Sequence, residues 1–433
     1  MEITHLLFVQ WQLGLALAIF QGLMVLGFGL AWVMAIWQWL IGTNPQARSA
    51  RAYRSWLGIF SIVFRLVFGF GLVVLTLVAI NWPALFERTG NVLGPILLGL
   101  VVVAFVLKTT LFRVMLHEQG RVSDSAYTFS VLGVALFYTA MVIGWVVMDV
   151  WLRAPVGASL IDGRFQVLDE RAILLNNQVG WQLVMTVLGA VLATVGWLVG
   201  RPSSQRHSDN AHHSPAAAVA PAVLPSRLFG WLCLVGFVAG MSLLPMAGFA
   251  ITQWLPDGVS MLGLLMARDL PLSTTLASST ALVLVTRLIA VMVLLYLVLI
   301  VCAYITARNG KTEQPYLRRL PVGLLFLGPM LWASLWLLSY LGKGGDVVVG
   351  HLSVTDLVNP HATILLWFSA AFLLLATATT FVGLWQGFFV QPEEAEPAAE
   401  QDPKQQLKQH NRPQDNPQDN PQDNPSGATD VAA

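Results

Sequence analysis

The sequence predicts an all-α integral membrane protein with about nine transmembrane helices. Of its 433 residues, 56% are hydrophobic and only 11% are charged, whereas an ordinary soluble domain carries about 25% charged residues. The apolar residues occur in blocks of about 20, long enough to cross a ~30 Å hydrocarbon layer as a helix. Lipid offers the backbone no hydrogen-bond partner, so each block must form a helix that satisfies its own peptide groups.

Polar breaks between the blocks give the order and the approximate bounds of the helices. The predicted helices are 11–40, 56–80, 92–114, 127–150, 179–200, 228–252, 279–305, 321–341 and 362–388. The first, third, fifth and seventh loops hold eleven Lys and Arg residues, against six in the alternate loops. The positive-inside rule therefore predicts an N-terminus outside and a C-terminus in the cytoplasm. We expect a multi-pass protein of a bacterial-type cytoplasmic (inner) membrane.

Two segments have the composition of flexible chain. Residues 1–391 are predicted to form the transmembrane domain, interrupted by a cytoplasmic linker at about 203–226 that is rich in Ser, His, Ala and Pro. Residues 392–433 end in three Gln-Asp-Asn-Pro repeats and bury too little apolar area to fold, so we expect a disordered cytoplasmic tail. Between helices six and seven, residues 254–266 suggest a short interfacial helix.

The sequence offers no pattern typical of a catalytic, metal or nucleic-acid site. Cys233 and Cys302 lie in apolar runs without Cys-x-x-Cys spacing, so packing is the simpler interpretation of both. We find no phosphate-binding loop, no pair of catalytic carboxylates and no cluster of metal ligands. The sequence alone therefore predicts no catalytic residue, no metal and no nucleic-acid partner.

Local motifs in the predicted layout resemble a known respiratory family. They are Asn81-Trp82 after helix two, the Trp-x-x-x-Pro-x-Gly pattern at 151–157, Arg287 in helix seven, and 352–360 before helix nine. Together with nine helices and an outside N-terminus, their order over residues 10–390 resembles subunit I of cytochrome bd quinol oxidases. The resemblance implies a cytochrome bd subunit I-like helical bundle.

The same resemblance implies that the haem ligands of that family are missing here. Phe20 stands where the family has the histidine ligand of haem d, and Met185 stands where it has a histidine ligand of the low-spin haem b. The methionine partner of that haem maps to Ile289, and the glutamate ligand of the high-spin haem b maps to Ala333 or Ser334. Axial ligation needs a donor such as His, Met, Cys or Tyr, so only Met185 still offers one, and its expected partner is lost.

The family's proton and quinol positions are substituted as well. The helix-three glutamates map to Gly99 or Leu100 and to Lys108, which reverses the charge. The quinol motif Gln-Pro-x-Lys maps to residues 255–258, and its later glutamate maps to Gly263. We therefore expect that the fold is retained, that this chain binds no cofactor, and that its oxidase chemistry is lost.

Three cations remain inside predicted helices, where charge is expensive and therefore worth an explanation. Arg65, Lys108 and Arg287 lie in helices two, three and seven, and no Asp or Glu falls deep in any predicted span. They are candidates for an interface with a partner or its cofactor, or for buried charges. The simpler alternative is that they snorkel toward the membrane surface and bond to backbone carbonyls.

These expectations lead to one hypothesis and two alternatives. The first is a non-catalytic second subunit of a bd-type oxidase, whose partner is a ligand-complete subunit I that binds haem b and haem d and meets quinol. The second is a stand-alone transport or sensing protein that recognises an anion through Arg65, Lys108 and Arg287. The third is an active oxidase with displaced ligands such as Met185. In each case the surroundings are membrane lipid.

Overall fold

The computed structural model describes an almost entirely helical chain with two small β-hairpins. The described residues are 2–41, 48–118, 121–200, 226–254, 276–309, 320–341, 346–353, 357 and 363–389. Residues 203–225 of the predicted linker, residues 255–266 of the predicted interfacial helix and the whole predicted tail at 392–433 lie outside them. Predictions for those three segments therefore stay predictions.

Within the described residues the helices follow the predicted order. They are α1 Glu2–Ile41, α2 Arg48–Asn81, α3 Pro83–Val106, α4 Phe112–His117, α5 Asp124–Arg153, α6 Glu170–Leu174, α7 Asn177–Gly200, α8 Ser226–Trp254, α9 Leu276–Asn309, α10 Leu324–Leu341 and α11 Thr363–Phe389. A π-helical turn, Leu107–Leu111, joins α3 to α4, and a 3-10 turn, Leu320–Gly323, precedes α10. The strands are β1 Ala158–Ile161, β2 Arg164–Val167, β3 Asp346–Val348 and β4 Leu352–Ser353.

Eight of the described helical segments are long and apolar enough to cross a membrane. The ninth, α8, contributes a shorter apolar stretch, Phe229–Leu243. The prediction of a multi-pass helical membrane protein is confirmed. The third helix begins at Pro83, nine residues before the predicted position, because Trp82 alone separates α2 from α3. Proline is favoured at the first helical position, where its missing N–H costs no hydrogen bond.

Helix α1 is the centre of the described bundle. It packs against α2, α5, α7 and α10, and most of its side chains are buried. Apolar residues surround α1 on all sides of the helix, which is typical of a helix enclosed by protein rather than lying at a surface. By contrast, α3 and α11 expose most of their apolar side chains. Positions on α1 therefore face the interior of the protein.

Two polar clusters mark opposite ends of α2. At the end that carries Arg54, the phenol oxygens of Tyr53 and Tyr127 lie 3.4 Å apart, and Tyr127 donates to the Met115 carbonyl at 3.0 Å. Burial, together with the Tyr127 phenol, raises the pKa of Tyr53 above its usual range. The Tyr53 hydroxyl therefore stays neutral and links the starts of α2 and α5. At the other end, Asn81 leads directly into α3.

A β-hairpin covers the far end of α5. Its turn residues Asp162 and Gly163 both have positive φ, at 49° and 76°, as a two-residue type I′ turn requires. Phe165 on β2 is fully buried, with its ring 5.1 Å from Trp151 and 5.6 Å from His351. The sequence analysis predicts no hairpin between helices four and five, although the Asp-Gly pair is a hairpin signal.

Helices α7 and α10 cross at very short distance through glycines. A Cβ on Gly196 would lie 2.5 Å from the Leu324 carbonyl oxygen, and one on Gly328 would lie 2.7 Å from the Ala193 Cα. Real Cβ atoms do not approach other backbone this closely. The crossing therefore depends on the absence of a side chain at both positions.

Replacing Gly196 by Ala is expected to lower the thermal unfolding midpoint of the purified protein. The added methyl meets backbone that cannot move aside, and overpacking of this kind costs about 1–3 kcal/mol. Gly180→Ala, on the same helix with nothing within 4 Å of its Cβ, is the matched control and should be tolerated. Unfolding is monitored by intrinsic fluorescence. Equal unfolding midpoints for the two variants would contradict the described crossing.

Candidate functional site

The position that the family resemblance assigns to a haem ligand on α1 lies in a cluster of aromatic side chains. Phe20 is buried, and its ring packs edge-on against Trp145 of α5 at a centroid distance of 4.9 Å. On its other side it contacts α2, where a Cβ on Gly71 would lie 3.2 Å from the Phe20 ring. Phe20 therefore fills the space between α1, α2 and α5 by packing alone.

Gln21, the next residue, is the polar centre of this cluster. Its side chain is 2% exposed and lies among the indole nitrogens of Trp145, Trp332 and Trp336. With its carbonyl oxygen toward α5, Gln21 accepts from Trp145 and, at 3.3 Å, from Trp336. In the opposite amide orientation it accepts from Trp332 at 3.4 Å. The first orientation satisfies two buried indoles, so we assign it to Gln21.

Trp332 and Tyr340 of α10 fit into spaces that glycines on neighbouring helices leave open. A Cβ on Gly189 of α7 would lie 2.5 Å from the Trp332 ring. Trp336 stacks on Tyr340 with ring centroids 5.5 Å apart, and a Cβ on Gly14 would lie 2.8 Å from the Tyr340 ring. Large rings on α10 therefore interlock with small residues on α1 and α7. We call Phe20, Gln21, Trp145, Trp332 and Trp336 the tryptophan centre.

The ligand position that maps to Ala333 or Ser334 on α10 lies where α1 and α10 touch. A Cβ on Gly22 would lie 3.5 Å from the Ala333 Cβ and 3.0 Å from the Pro329 carbonyl oxygen. The Ser334 hydroxyl points elsewhere and donates to the Met292 sulfur on α9 at 3.9 Å. Since the two helices are in direct contact beside Ala333, no gap separates them at this level.

The remaining two ligand positions are buried apolar residues. Met185 on α7 is 2% exposed, and Ile289 on α9 is fully buried. One turn further along α9, Met292 is also buried and receives the Ser334 hydrogen bond. Sulfur is the only atom type at these positions that can bind haem iron, and a buried methionine is most often a packing residue.

The structure exposes the three cations expected inside the membrane. Arg65, Lys108 and Arg287 all lie on the surface of the described chain, so this chain does not bury their charge. Arg65 turns back along α2, where its Nε donates to the Ser61 carbonyl at 3.1 Å. This is a hydrogen bond to a backbone carbonyl, as expected if the cation snorkels toward the membrane surface. The Lys108 ammonium instead sits over the Phe68 ring, 4.5 Å from its centroid.

Two buried polar groups were missed by the sequence analysis. Asp149 and Arg153 form an ion pair in the last turns of α5, which extends past the predicted end of helix four at residue 150. Their i, i+4 spacing was a signal for the pair. Gln12 on α1 donates to Ser369 on α11 at 2.8 Å, and Asn81 lies 3.5 Å away. That network joins residues 357 apart in sequence, so no local pattern could reveal it.

Comparison with known proteins places the chain in a family. The family model for cytochrome bd terminal oxidase subunit I matches residues 8–224, half of the chain. The chain belongs to the cytochrome bd terminal oxidase subunit I family. No curated protein matches it. A chain in the structure of bd oxidase from Geobacillus thermodenitrificans superposes with a TM-score of 0.66 at 13% identity, covering 90% of this chain and 99% of that one.

The family match covers the ligand positions on α1 and α7 but not those on α9 and α10. It includes α1 to α7, and so contains Phe20, Gln21 and Met185. Ile289, Ala333 and Ser334 lie beyond it and are aligned with bd oxidases by the family resemblance. At 13% identity the structural likeness carries the fold and not the chemistry. The sequence-based recognition of the family is confirmed.

Replacing Gln21 by Leu is expected to destabilise this bd-family chain. The change keeps the side-chain size but leaves buried indole N–H groups of the tryptophan centre without an acceptor, which costs about 1–3 kcal/mol. Thermal unfolding midpoints in detergent would measure the loss. Gln166→Leu, at an exposed strand position, is the control with the same chemical change. If the two variants unfold at the same temperature, Gln21 does not hold the indoles together.

Proposed function

We propose that this chain is a haem-free second subunit of a bd-type respiratory quinol oxidase. Its partner is a ligand-complete subunit I homologue that binds haem b and haem d, oxidises quinol and reduces oxygen. The observation that carries the proposal is the tryptophan centre. Phe20, Gln21 and three indoles interlock where a ligand-complete relative needs an axial donor and room for a porphyrin.

The residues at the four ligand positions do not form a complete haem site. Phenylalanine, isoleucine and alanine have no lone pair to offer iron, and serine is not among its usual protein ligands. Met185 alone keeps a donor, and Ile289 stands at its partner position. Direct contact between Gly22 and Ala333 leaves no gap for a flat macrocycle between α1 and α10. A haem would therefore need both new ligands and a rearranged core. We derive no electron-transfer or oxygen-reduction step through this chain.

The exposed faces of the bundle support a partner in the membrane. Helices α3 and α11 present many large apolar side chains on their surface, among them Leu98, Phe105, Trp367 and Leu374. Lipid or a second membrane subunit can cover such a face equally well. A retained family fold without the family's ligands favours the second subunit, because a heterodimer preserves the shape that its partner binds.

The same proposal includes a location and an orientation. Arg54, Arg113 and Arg121 lie toward the end of the bundle at which Tyr53 meets Tyr127. A concentration of Arg at one end supports a cytoplasmic position for that end. The N-terminus is then outside, and the membrane is a bacterial-type cytoplasmic membrane.

Affinity purification of the tagged chain from its native membrane tests the proposal. We expect a ligand-complete subunit I to copurify, together with a reduced-minus-oxidised haem spectrum that leaves with the partner when the two are separated. Mass spectrometry on the same sample identifies the partner. Haem that stays on this chain after separation, or purification without any subunit I, would refute the second-subunit role.

Restoring a single ligand is not expected to restore haem. In Phe20→His the imidazole has a lone pair, but Trp145 and Trp332 still fill the neighbouring space, so the purified chain should show no new Soret band. The variant Met185→Leu/Met292→Leu, which removes the two buried methionine sulfurs at or next to the ligand positions of α7 and α9, should leave the haem content of the complex unchanged. A loss of haem in that variant would instead favour an oxidase with displaced methionine ligands.

The alternative of a stand-alone anion transporter or sensor has less support. A transport path runs through the interior of a bundle, usually where helices are broken near its centre. The three cations that suggested an anion lie on the outer surface. We therefore do not propose transport for this chain.

A further inference from the structure

A cationic patch lies on the surface where α2 meets the π-helical turn, inside the predicted transmembrane helices two and three. We define it by Arg65, Phe68, Lys108 and the neighbouring Thr109 and Thr110. Arg65, Lys108 and both threonines are exposed. Counting 1.5 Å per residue, Lys108 lies ~7.5 Å along the helix from Arg113, and Arg65 lies ~16 Å from Arg54. The patch is therefore below the membrane surface.

The two cations share one surface. Phe68, whose ring supports the Lys108 ammonium at 4.5 Å, is three residues from Arg65 and so lies on the same face of α2. The Arg65 Nε donates to the Ser61 carbonyl and one terminal nitrogen donates to the Ser61 hydroxyl, each at 3.1 Å. Its other N–H groups have no hydrogen-bond partner among the described residues. Both charges thus lie beside Phe68 on the exposed surface where α2 meets the π-helical turn.

The π-helical turn is what presents Lys108 there. Leu107–Leu111 is the only π-helical segment within the described residues, and such insertions occur frequently at functional sites. The Thr109 and Thr110 hydroxyls donate back to the carbonyls of Phe105 and Val106 at 2.8 and 2.6 Å. These bonds satisfy carbonyls around the widened turn, so it is stable on an exposed face.

No acidic group of the described chain neutralises the patch. The carboxylates that form ion pairs within the described residues are Asp149, with Arg153, and Glu87, with Arg164. Neither Arg65 nor Lys108 lies within 4 Å of a carboxylate there. Two exposed cations at this depth need an anion from outside the chain, because an uncompensated charge in hydrocarbon is costly.

We propose that the cationic patch binds the phosphate of an anionic phospholipid. Exposed apolar side chains lie on the same two helices, among them Leu72, Val101, Val102 and Phe105, which are 49–63% exposed. A lipid provides both complementary parts, a phosphate for Arg65 and Lys108 and acyl chains for these apolar side chains. Free phosphate matches only the cations and would leave the apolar part uncovered.

Native mass spectrometry of the tagged chain, with whatever subunits copurify, tests this site. The probe is phosphatidylglycerol, compared with phosphatidylcholine and with inorganic phosphate. We expect the protein to retain phosphatidylglycerol, and Arg65→Gln/Lys108→Gln to weaken that retention roughly tenfold or more, since each cation near a lipid surface contributes about 1 kcal/mol. The swap Arg65→Lys/Lys108→Arg should retain the lipid, and Arg164→Gln, a paired cation in the distant hairpin, should change nothing.

Three results would overturn the lipid site. Equal retention by the wild type and the double Gln variant would show that the cations do not bind it. Equal binding of inorganic phosphate would point to a free anion. Loss of the copurifying subunit together with the lipid would show that the patch faces a protein partner. The partner and its haem are measured on the same sample, so failure of the lipid site is distinguishable from failure of the second-subunit role.

Discussion

The contact on which the rest of this structure depends is the one between Gln21 and the indoles around it. Gln21 lies on α1, which packs against α2, α5, α7 and α10, and its amide lies among Trp145 of α5 and Trp332 and Trp336 of α10. Trp332 also fits against Gly189 of α7. One buried acceptor thus orients Trp145 and Trp336, and the rings of the tryptophan centre bring α1, α5, α7 and α10 together. Since buried polar groups must be satisfied, the centre specifies a single packing.

This packing supports the proposal that a member of the bd subunit I family keeps its fold without haem. Phe20 and the three tryptophans fill the space around Gln21, and Gln21 accepts hydrogen bonds from Trp145 and Trp336 there. The charged side chains of Arg65 and Lys108 lie instead on the outer surface of the described chain. Under the proposed function, such a protein contributes shape and surface to a complex rather than a redox centre.

Much of the fold follows from the sequence, because the membrane imposes a strong constraint on every apolar block. Nine helices were predicted near their observed positions, and the family was recognised from short motifs in the loops and helices. What the sequence could not give is contact between distant residues. Nothing in the order of residues shows that Gln21 meets Trp145 and Trp336, or that Gln12 bonds to Ser369. The π turn at Lys108 was missed as well, since its apolar period is that of an ordinary helix.

A cryo-electron microscopy map of the complex purified from the native membrane tests the central claim most directly. We predict continuous side-chain density for Trp145, Trp332 and Trp336 around Gln21, with α1 and α10 in contact beside Gly22. Porphyrin density should be confined to the partner subunit. A porphyrin between α1 and α10 of this chain, with the tryptophans displaced, would contradict the account.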